Sequence, residues 1–459
     1  MTKHVNKLLV VFLVALMLRS LVLIVANKFP ERTIAMDTST YVRPAESLLE
    51  DHGYTFPGAL RTPIYPMFLA IFFALFGENM VIIVIAQVIV SSLTVVLTYY
   101  TGVLLLPKRV ALISAFFLAL SLESIIDPFF ILSDTLFTFL FLSATFAFLR
   151  YQSTKRISWL ISSAILMGLS ILCRPIALYY PVVIVFLLAL VHWKEWIYIF
   201  TRCLAYLAVV FIILASWMLR NQVVDGAPII STISNSNLLF YNAASLDASL
   251  HGGSADQYRS INYPLSVQNE LIKRGLPQTE ANLNKVYKIL AMKIILANPV
   301  QYSIIHLKDD LQNIYPGWST TLEILAPTGM VGIQGTEVLS QKGLSGAIQA
   351  YFGGRLWLVF LFFPFIILLL VVYFSDLVGI ILLVRTKVWF TLAVLILPVA
   401  YLLLIPGAPS NSRFRLPAMP EICLIAGIGI DWAWIRLNRY RDLKKVSMIR
   451  KESKSLSQT

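Results

Sequence analysis

The chain has 459 residues, of which 58% are hydrophobic and 13% charged, with a formal net charge of +13. Soluble globular domains carry about 25% charged residues, so this composition excludes a soluble protein. The basic excess sits in short loops and in the C-terminal segment, which marks orientation and attraction to anionic headgroups and not a nucleic-acid surface.

The first apolar run, Leu8 to Ala26, follows Lys3 and Lys7. It is too long for a signal-peptide core and reads as an uncleaved signal anchor running outward. The loop Asn27–Thr62 carries Asp37, Tyr41, Arg43 and Arg61, with a short amphipathic helix expected from Tyr41 to Glu50. Pro63–Phe76 is apolar but short for a span and reads as an interfacial or re-entrant helix. Six further spans are expected: Val81–Leu106, Val110–Leu122, Phe129–Leu149, Ile157–Leu172, Ile176–Val191 and Ile197–Leu219. Lys108, Arg109, Arg150, Lys155, Arg156 and Lys194 mark the cytoplasmic loops by the positive-inside rule. A polar segment, residues 220–354, then reads as an extracytoplasmic, mixed but mainly helical domain. Its clearest helix spans Thr279–Ala297, and Asn298-Pro299 opens a second. Three last spans follow: Leu356–Val384 (one helix, or two if Ser375-Asp376 breaks it), Val388–Ile405 and Leu416–Ile435. The tail from Arg436 holds eight Lys/Arg and reads as disordered against the inner leaflet.

The expected architecture is an all-α integral membrane protein of about ten transmembrane helices, both termini cytoplasmic, with the polar domain inserted after the seventh span. It divides into a transmembrane module (1–219) whose first outer loop is residues 27–62, the domain (220–354), three C-terminal spans (355–435) and the tail (436–459). Three cysteines without ligand spacing indicate neither a disulfide framework nor a zinc site.

Arg413 and Arg415 lie in the outer loop between the last two spans, against the positive-inside rule, and guanidinium forks match phosphate oxygens. Arg61 and Arg174 fall on the same side, as do Arg43 and Arg220; snorkelling or headgroup contact is the alternative use. Asp37 stands about ten residues past the first span, where it could act as general base on an acceptor hydroxyl, or simply cap a helix. Glu123, Asp127 and Asp134 could position an acceptor, supply a second acid or join Asp37 at a divalent metal. No Asp-x-Asp pair is present, and the reading requires neither a metal nor another cofactor. Arg19 lies mid-span and needs a partner, for which topology offers Asp134. No Gly-Lys phosphate loop, His-Glu-x-x-His or Gly-x-Ser-x-Gly is present.

Several motifs recur in a familiar order. They are Asp37 to Tyr41, Arg61-Thr-Pro-Ile-Tyr-Pro-Met-Phe-Leu-Ala70 leading to Leu75-Phe-Gly77, Ser133-Asp-Thr-Leu136, Gly168 to Pro175, Trp217-Met-Leu-Arg-Asn221, and Arg413-Phe-Arg-Leu-Pro-Ala-Met-Pro420. In this order the chain resembles the bacterial family 39-type glycosyltransferases of the C superfamily, which include protein O-mannosyltransferases and the lipid A aminoarabinose transferase. The resemblance implies a polyprenyl-phosphate monosaccharide donor and an extracytoplasmic site in a bacterial inner membrane. It also implies inversion at the sugar carbon, with Asp37 as the first-loop catalytic acid and a lipid, glycan or protein hydroxyl as acceptor. Many members carry Asp-Glu where this chain has Asp37-Thr38, and Glu where it has Asp134. The rival reading is a transporter or flippase of a lipid-linked sugar, although the sequence shows no repeated halves.

Overall fold

A computed structural model describes residues 2–50, 60–316 and 357–456, with 343, 345 and 346; side chains of 2–5, 358–359 and 441–456 are not described. Part of the expected first outer loop (51–59) and most of 317–356 therefore lie outside the described residues. Every described element is helical. The first run forms α1 (Thr2–Lys28), and the loop after it forms a short helix α2 (Ser39–Leu49) that buries Tyr41, Val42, Pro44 and Ala45. Then come α3 (Ile64–Phe76), α4 (Met80–Val103), α5 (Lys108–Leu120), α6 (Leu122–Ile126), α7 (Asp134–Thr154), α8 (Ile157–Ile171), α9 (Tyr180–His192) and α10 (Trp196–Asp225).

Six of the described helices are long and apolar enough to cross a bilayer, or eight if each of two bent pairs is one span. The count of ten is not reached on these criteria. Ile157–Ile171 and Trp389–Leu404 have the composition but only 15 and 16 residues, short of the roughly 20 that a bilayer core requires. The expected span from Phe129 also begins later, at Asp134, because residues 129–133 serve the site described below.

The polar segment opens with α11 (Ile233–Asn237), α12 (Ala244–His251) and α13 (Tyr263–Lys273). With α14 (Glu280–Ala297) they enclose a small core of Leu239, Ala243, Val267, Leu271 and Val286. Thr279 caps α14 by accepting from the Asn282 amide. Asn298 makes no side-chain cap on α15 (Pro299–Asp310), so Pro299 alone marks that turn.

The last helices are α16 (Trp357–Arg385), α17 (Trp389–Leu404) and α18 (Met419–Leu456). Ser375 and Asp376 do not break α16. They lie where it presses on α18: a Cβ on Gly379 would meet the Ile425 carbonyl, and one on Gly429 the Ser375 carbonyl. Small residues let two helix backbones approach this closely. Residues 436–456 continue α18 as helix, where a disordered tail was expected.

Arg19 is fully buried in α1 and corrects a sequence expectation. Its partner is not Asp134. Its Nε donates to Ser91 Oγ (2.8 Å), and its terminal nitrogens donate to the carbonyls of Ala15, Leu118 and Ala119. The last two carbonyls lie where the helix breaks after Leu120: α5 and the following segment are bent by 60°, and Leu118 there also accepts from the Ser121 amide (3.3 Å). A mid-membrane cation and a mid-membrane helix break thus satisfy each other. Replacing Arg19 with Met should remove these four bonds and strand the Ala119 carbonyl at the break, at roughly 1–3 kcal/mol. Thermal unfolding of purified protein should show a midpoint several degrees lower, and an unchanged midpoint would contradict the pairing.

Candidate functional site

The site is built on the short loop after the break. Gln87, fully buried in α4, donates through Nε2 to the Pro128 and Phe130 carbonyls (2.9 and 2.8 Å) and accepts from the Tyr65 hydroxyl (2.8 Å). A polar side chain inside an apolar helix is costly unless paired, so Gln87 fixes the loop to α4 and α3. The loop after α1 then docks on it. The Ile131 amide donates to the Thr33 carbonyl (3.1 Å), Thr38 Oγ1 donates to the Ile131 carbonyl (3.1 Å), and the Tyr41 and Ser133 hydroxyls meet at 3.1 Å. These contacts place Asp37 beside the N-terminus of α7, where Asp134 occupies the first turn.

Five charged side chains alternate in sign across this place. Arg61 Nη2 lies 2.9 Å from Asp37 Oδ1, with its Nε on Thr40 Oγ1 (2.8 Å) and its guanidinium 4.5 Å from the Tyr41 ring centre. Arg413 Nη2 lies 3.8 Å from Asp37 Oδ2, and Arg413 Nε lies 3.7 Å from Asp134 Oδ2. Asp134 is also ion-paired with Arg174, whose guanidinium stands 5.2 Å from the Phe414 ring. Burial first, then the nearby Arg413, lowers Arg174 (in the turn between two helices) to about 10, still cationic at neutral pH. Three guanidiniums face two carboxylates here, with the buried Asp127 near enough to act on both Arg413 and Arg174.

Exposure separates the members. Asp37 and Arg413 side chains are 41% and 29% accessible, while Arg61, Arg174 and Asp134 fall to 13%, 13% and 2%. Arg413 Nε is buried and has no hydrogen-bond partner among the described residues. The open edge of the cluster is therefore one carboxylate and one guanidinium, 3.8 Å apart.

Arg415, expected to act with Arg413, points the other way. It is completely buried, and its Nη1 donates to the carbonyls of Asn313, Ile314 and Tyr315 and to the Tyr373 hydroxyl (2.8, 2.8, 3.2 and 2.9 Å). Its Nη2 is ion-paired with Glu123. The two arginines diverge because residues 412–418 form a tight 3-10 turn, in which neighbours two apart cannot share a face. Glu123 is thereby also committed to the protein. Asp127 is buried and accepts from Thr135 Oγ1 (2.9 Å). Asp37 and Asp134 share Arg413 while Glu123 and Asp127 turn to other partners, and among the described residues no three acids, histidines or cysteines come together as a metal site. Arg220 pairs with Asp225 (3.0 Å), away from the cluster. Gln87, Thr33 and Thr38 escaped the sequence reading; the visible signal was a lone Gln inside an apolar run.

These long apolar helices define a multi-pass membrane protein. Residues 60–219 match the family model described as dolichyl-phosphate-mannose-protein mannosyltransferase, which bears out the resemblance seen in the motifs. No curated protein matches the sequence. Among solved structures, the Archaeoglobus fulgidus oligosaccharyltransferase in its apo form aligns over 96% of this chain and 52% of its own, with 15% identity and a TM-score of 0.54. Oligosaccharyltransferase AglB from the same organism, in complex with an inhibitory peptide and a dolichol-phosphate, aligns over the same shares with 14% identity and a TM-score of 0.51. ArnT from Cupriavidus metallidurans bound to undecaprenyl phosphate aligns over 94% of this chain and 77% of its own, at 13% identity and a TM-score of 0.41. The chain spans about half the length of the oligosaccharyltransferase structures.

The two arginines of the loop should part company experimentally. Arg415→Met strands Glu123 and the end of α15 and should cost about 3–5 kcal/mol of stability, whereas Arg413→Met should cost no more than about 1 kcal/mol. Thermal unfolding in one detergent measures both, and equal losses would contradict the assignment.

Proposed function

We propose that the protein is a membrane glycosyltransferase that moves a monosaccharide from a polyprenyl-phosphate donor to an acceptor hydroxyl at the extracytoplasmic face. The observation that carries this is the Asp37–Arg413 approach of 3.8 Å at the open edge of an arginine-rich cluster. Arg413 takes a phosphate oxygen. Arg61 and Arg174 stand behind it and raise the local positive potential. Arg415 is not assigned to the phosphate, because its terminal nitrogens serve the protein. The family match over residues 60–219 and the fold support a lipid-linked donor.

The chemistry follows from the placement. The acceptor oxygen attacks the anomeric carbon from the face opposite the phosphate, so the configuration inverts. The bond between that carbon and the phosphate oxygen breaks, and its electron pair stays on the oxygen, giving polyprenyl phosphate. Negative charge grows on the leaving phosphate in the transition state, where a fixed guanidinium is worth most. The acceptor proton goes to Asp37, which Arg61 and the Thr40 contact hold in place. In this reading the polar segment 220–354 lies on the same side and takes part in acceptor selection.

Asp37→Asn should lower turnover about 10²- to 10⁴-fold at normal protein level. Arg413→Ala should lower kcat/KM for the donor by about 10²-fold. The assay follows release of free polyprenyl phosphate by purified protein given a labelled polyprenyl-phosphate sugar and an acceptor. Near-normal turnover by the Asp37 variant would remove this carboxylate from the mechanism.

A further inference from the structure

The loop that carries Arg413 leaves α17 at Leu404, and its first part, residues 407–410, is hydrogen-bonded to the polar segment. Asp310, 3% exposed at the end of α15, accepts through Oδ1 from the Gly407 amide (2.8 Å) and from the Ser410 hydroxyl (3.0 Å). Asn313 Nδ2 donates to the Leu403 carbonyl (2.9 Å) and to Ser410 Oγ (3.0 Å). Asn242 accepts from the Ala408 amide (3.3 Å), and His306 Nε2 meets the Leu404 carbonyl at 3.0 Å and Asp310 Oδ2 at 3.4 Å. Gly407 sits at φ +65°, and a Cβ there would run into the Asn242 and His306 side chains. Only glycine permits this left-handed turn at this approach.

Beyond this clamp the chain has little slack. Asn411 Oδ1 accepts from the Arg413 amide (3.0 Å), and two residues later Arg415 grips the carbonyls of 313–315. Arg413 therefore lies between two anchors, Ser410 and Arg415, both seated on the same short stretch, residues 310–315. A buried carboxylate with two donors and no guanidinium of its own is expensive to keep unless the geometry it imposes matters.

We infer that Asp310 is a positioning residue for Arg413, holding through Gly407 and Ser410 the loop that aims this guanidinium at the phosphate. The inference rests on the reading of Arg413 as the phosphate ligand. It makes the polar segment part of the donor site, since moving residues 310–315 would move Arg413.

The test uses the full chain in lipid nanodiscs and measures binding of a short-chain polyprenyl phosphate by calorimetry. Arg413→Ala should weaken binding roughly tenfold or more, and Asp310→Ala should do the same. The double variant should be no weaker than either single one, because both losses act through one contact. Asp310→Asn keeps an acceptor oxygen and should recover most of the affinity. Hydrogen exchange should show the Gly407 and Ala408 amides exchanging faster in Asp310→Ala, with the amides of α4 unchanged. If Asp310→Ala does not fold, Ser410→Ala replaces it, with a smaller loss that is again absent in the Arg413→Ala background. Wild-type affinity in the Asp310 or Ser410 variant, or losses that simply add, would overturn the inference. Wild-type affinity in Arg413→Ala would instead overturn the phosphate assignment beneath it.

Discussion

A guanidinium taken out of water must be given acceptors, and this requirement organises the whole molecule. Arg19 is matched by carbonyls where the helix breaks after Leu120. Arg415 is matched by Glu123 and by three carbonyls beyond the end of α15. Arg174 is matched by Asp134 at the start of α7. Each pairing joins elements far apart in sequence, so the buried cations serve as joints between helices. Of the arginines at this cluster Arg413 is the most exposed, and it stands between Asp37 and Asp134.

The helix break is the pivot of the arrangement. It brings the Leu118 and Ala119 carbonyls to Arg19, and it lets residues 127–133 run as a 3-10 turn and loop under Gln87 instead of as α-helix. That loop gives the segment after α1 a surface to dock on, through Thr33, Thr38 and Tyr41. Asp37 is thus located by hydrogen bonds among neutral groups, while its charge is left to face Arg61 and Arg413. Separating the groups that position from the groups that react is what a preorganised site requires.

Much of this was legible in the sequence, and the parts that were not share a cause. Apolar run length placed the long helices, periodicity and a proline placed α14 and α15, and the loop motifs brought Asp37, Arg61, Asp134, Arg174 and Arg413 to one list, while α6 and α11 to α13 went unread. Run length could not say whether 15 residues at Ile157–Ile171 cross a membrane, which is why ten spans were expected and six to eight are long enough. Residue spacing also could not tell Arg413 from Arg415, because the direction of a side chain in a 3-10 turn depends on what the turn packs against. Arg19 was given a carboxylate when its acceptors were backbone carbonyls, which no composition pattern displays. Asp310 drew no notice, since its partners, Gly407 and Ser410, lie about a hundred residues away.

The central claim is that Asp37 and Arg413 bracket a single phosphate-sugar site. The most direct measurement is an experimental structure of the protein with a polyprenyl phosphate bound. The account predicts the phosphate within hydrogen-bonding distance of the Arg413 guanidinium, with the Asp37 carboxylate on the far side of the space left for the sugar. A phosphate seated elsewhere, at Arg220 or among the basic residues of the opposite face, with Arg413 still turned to Asp37, would contradict it.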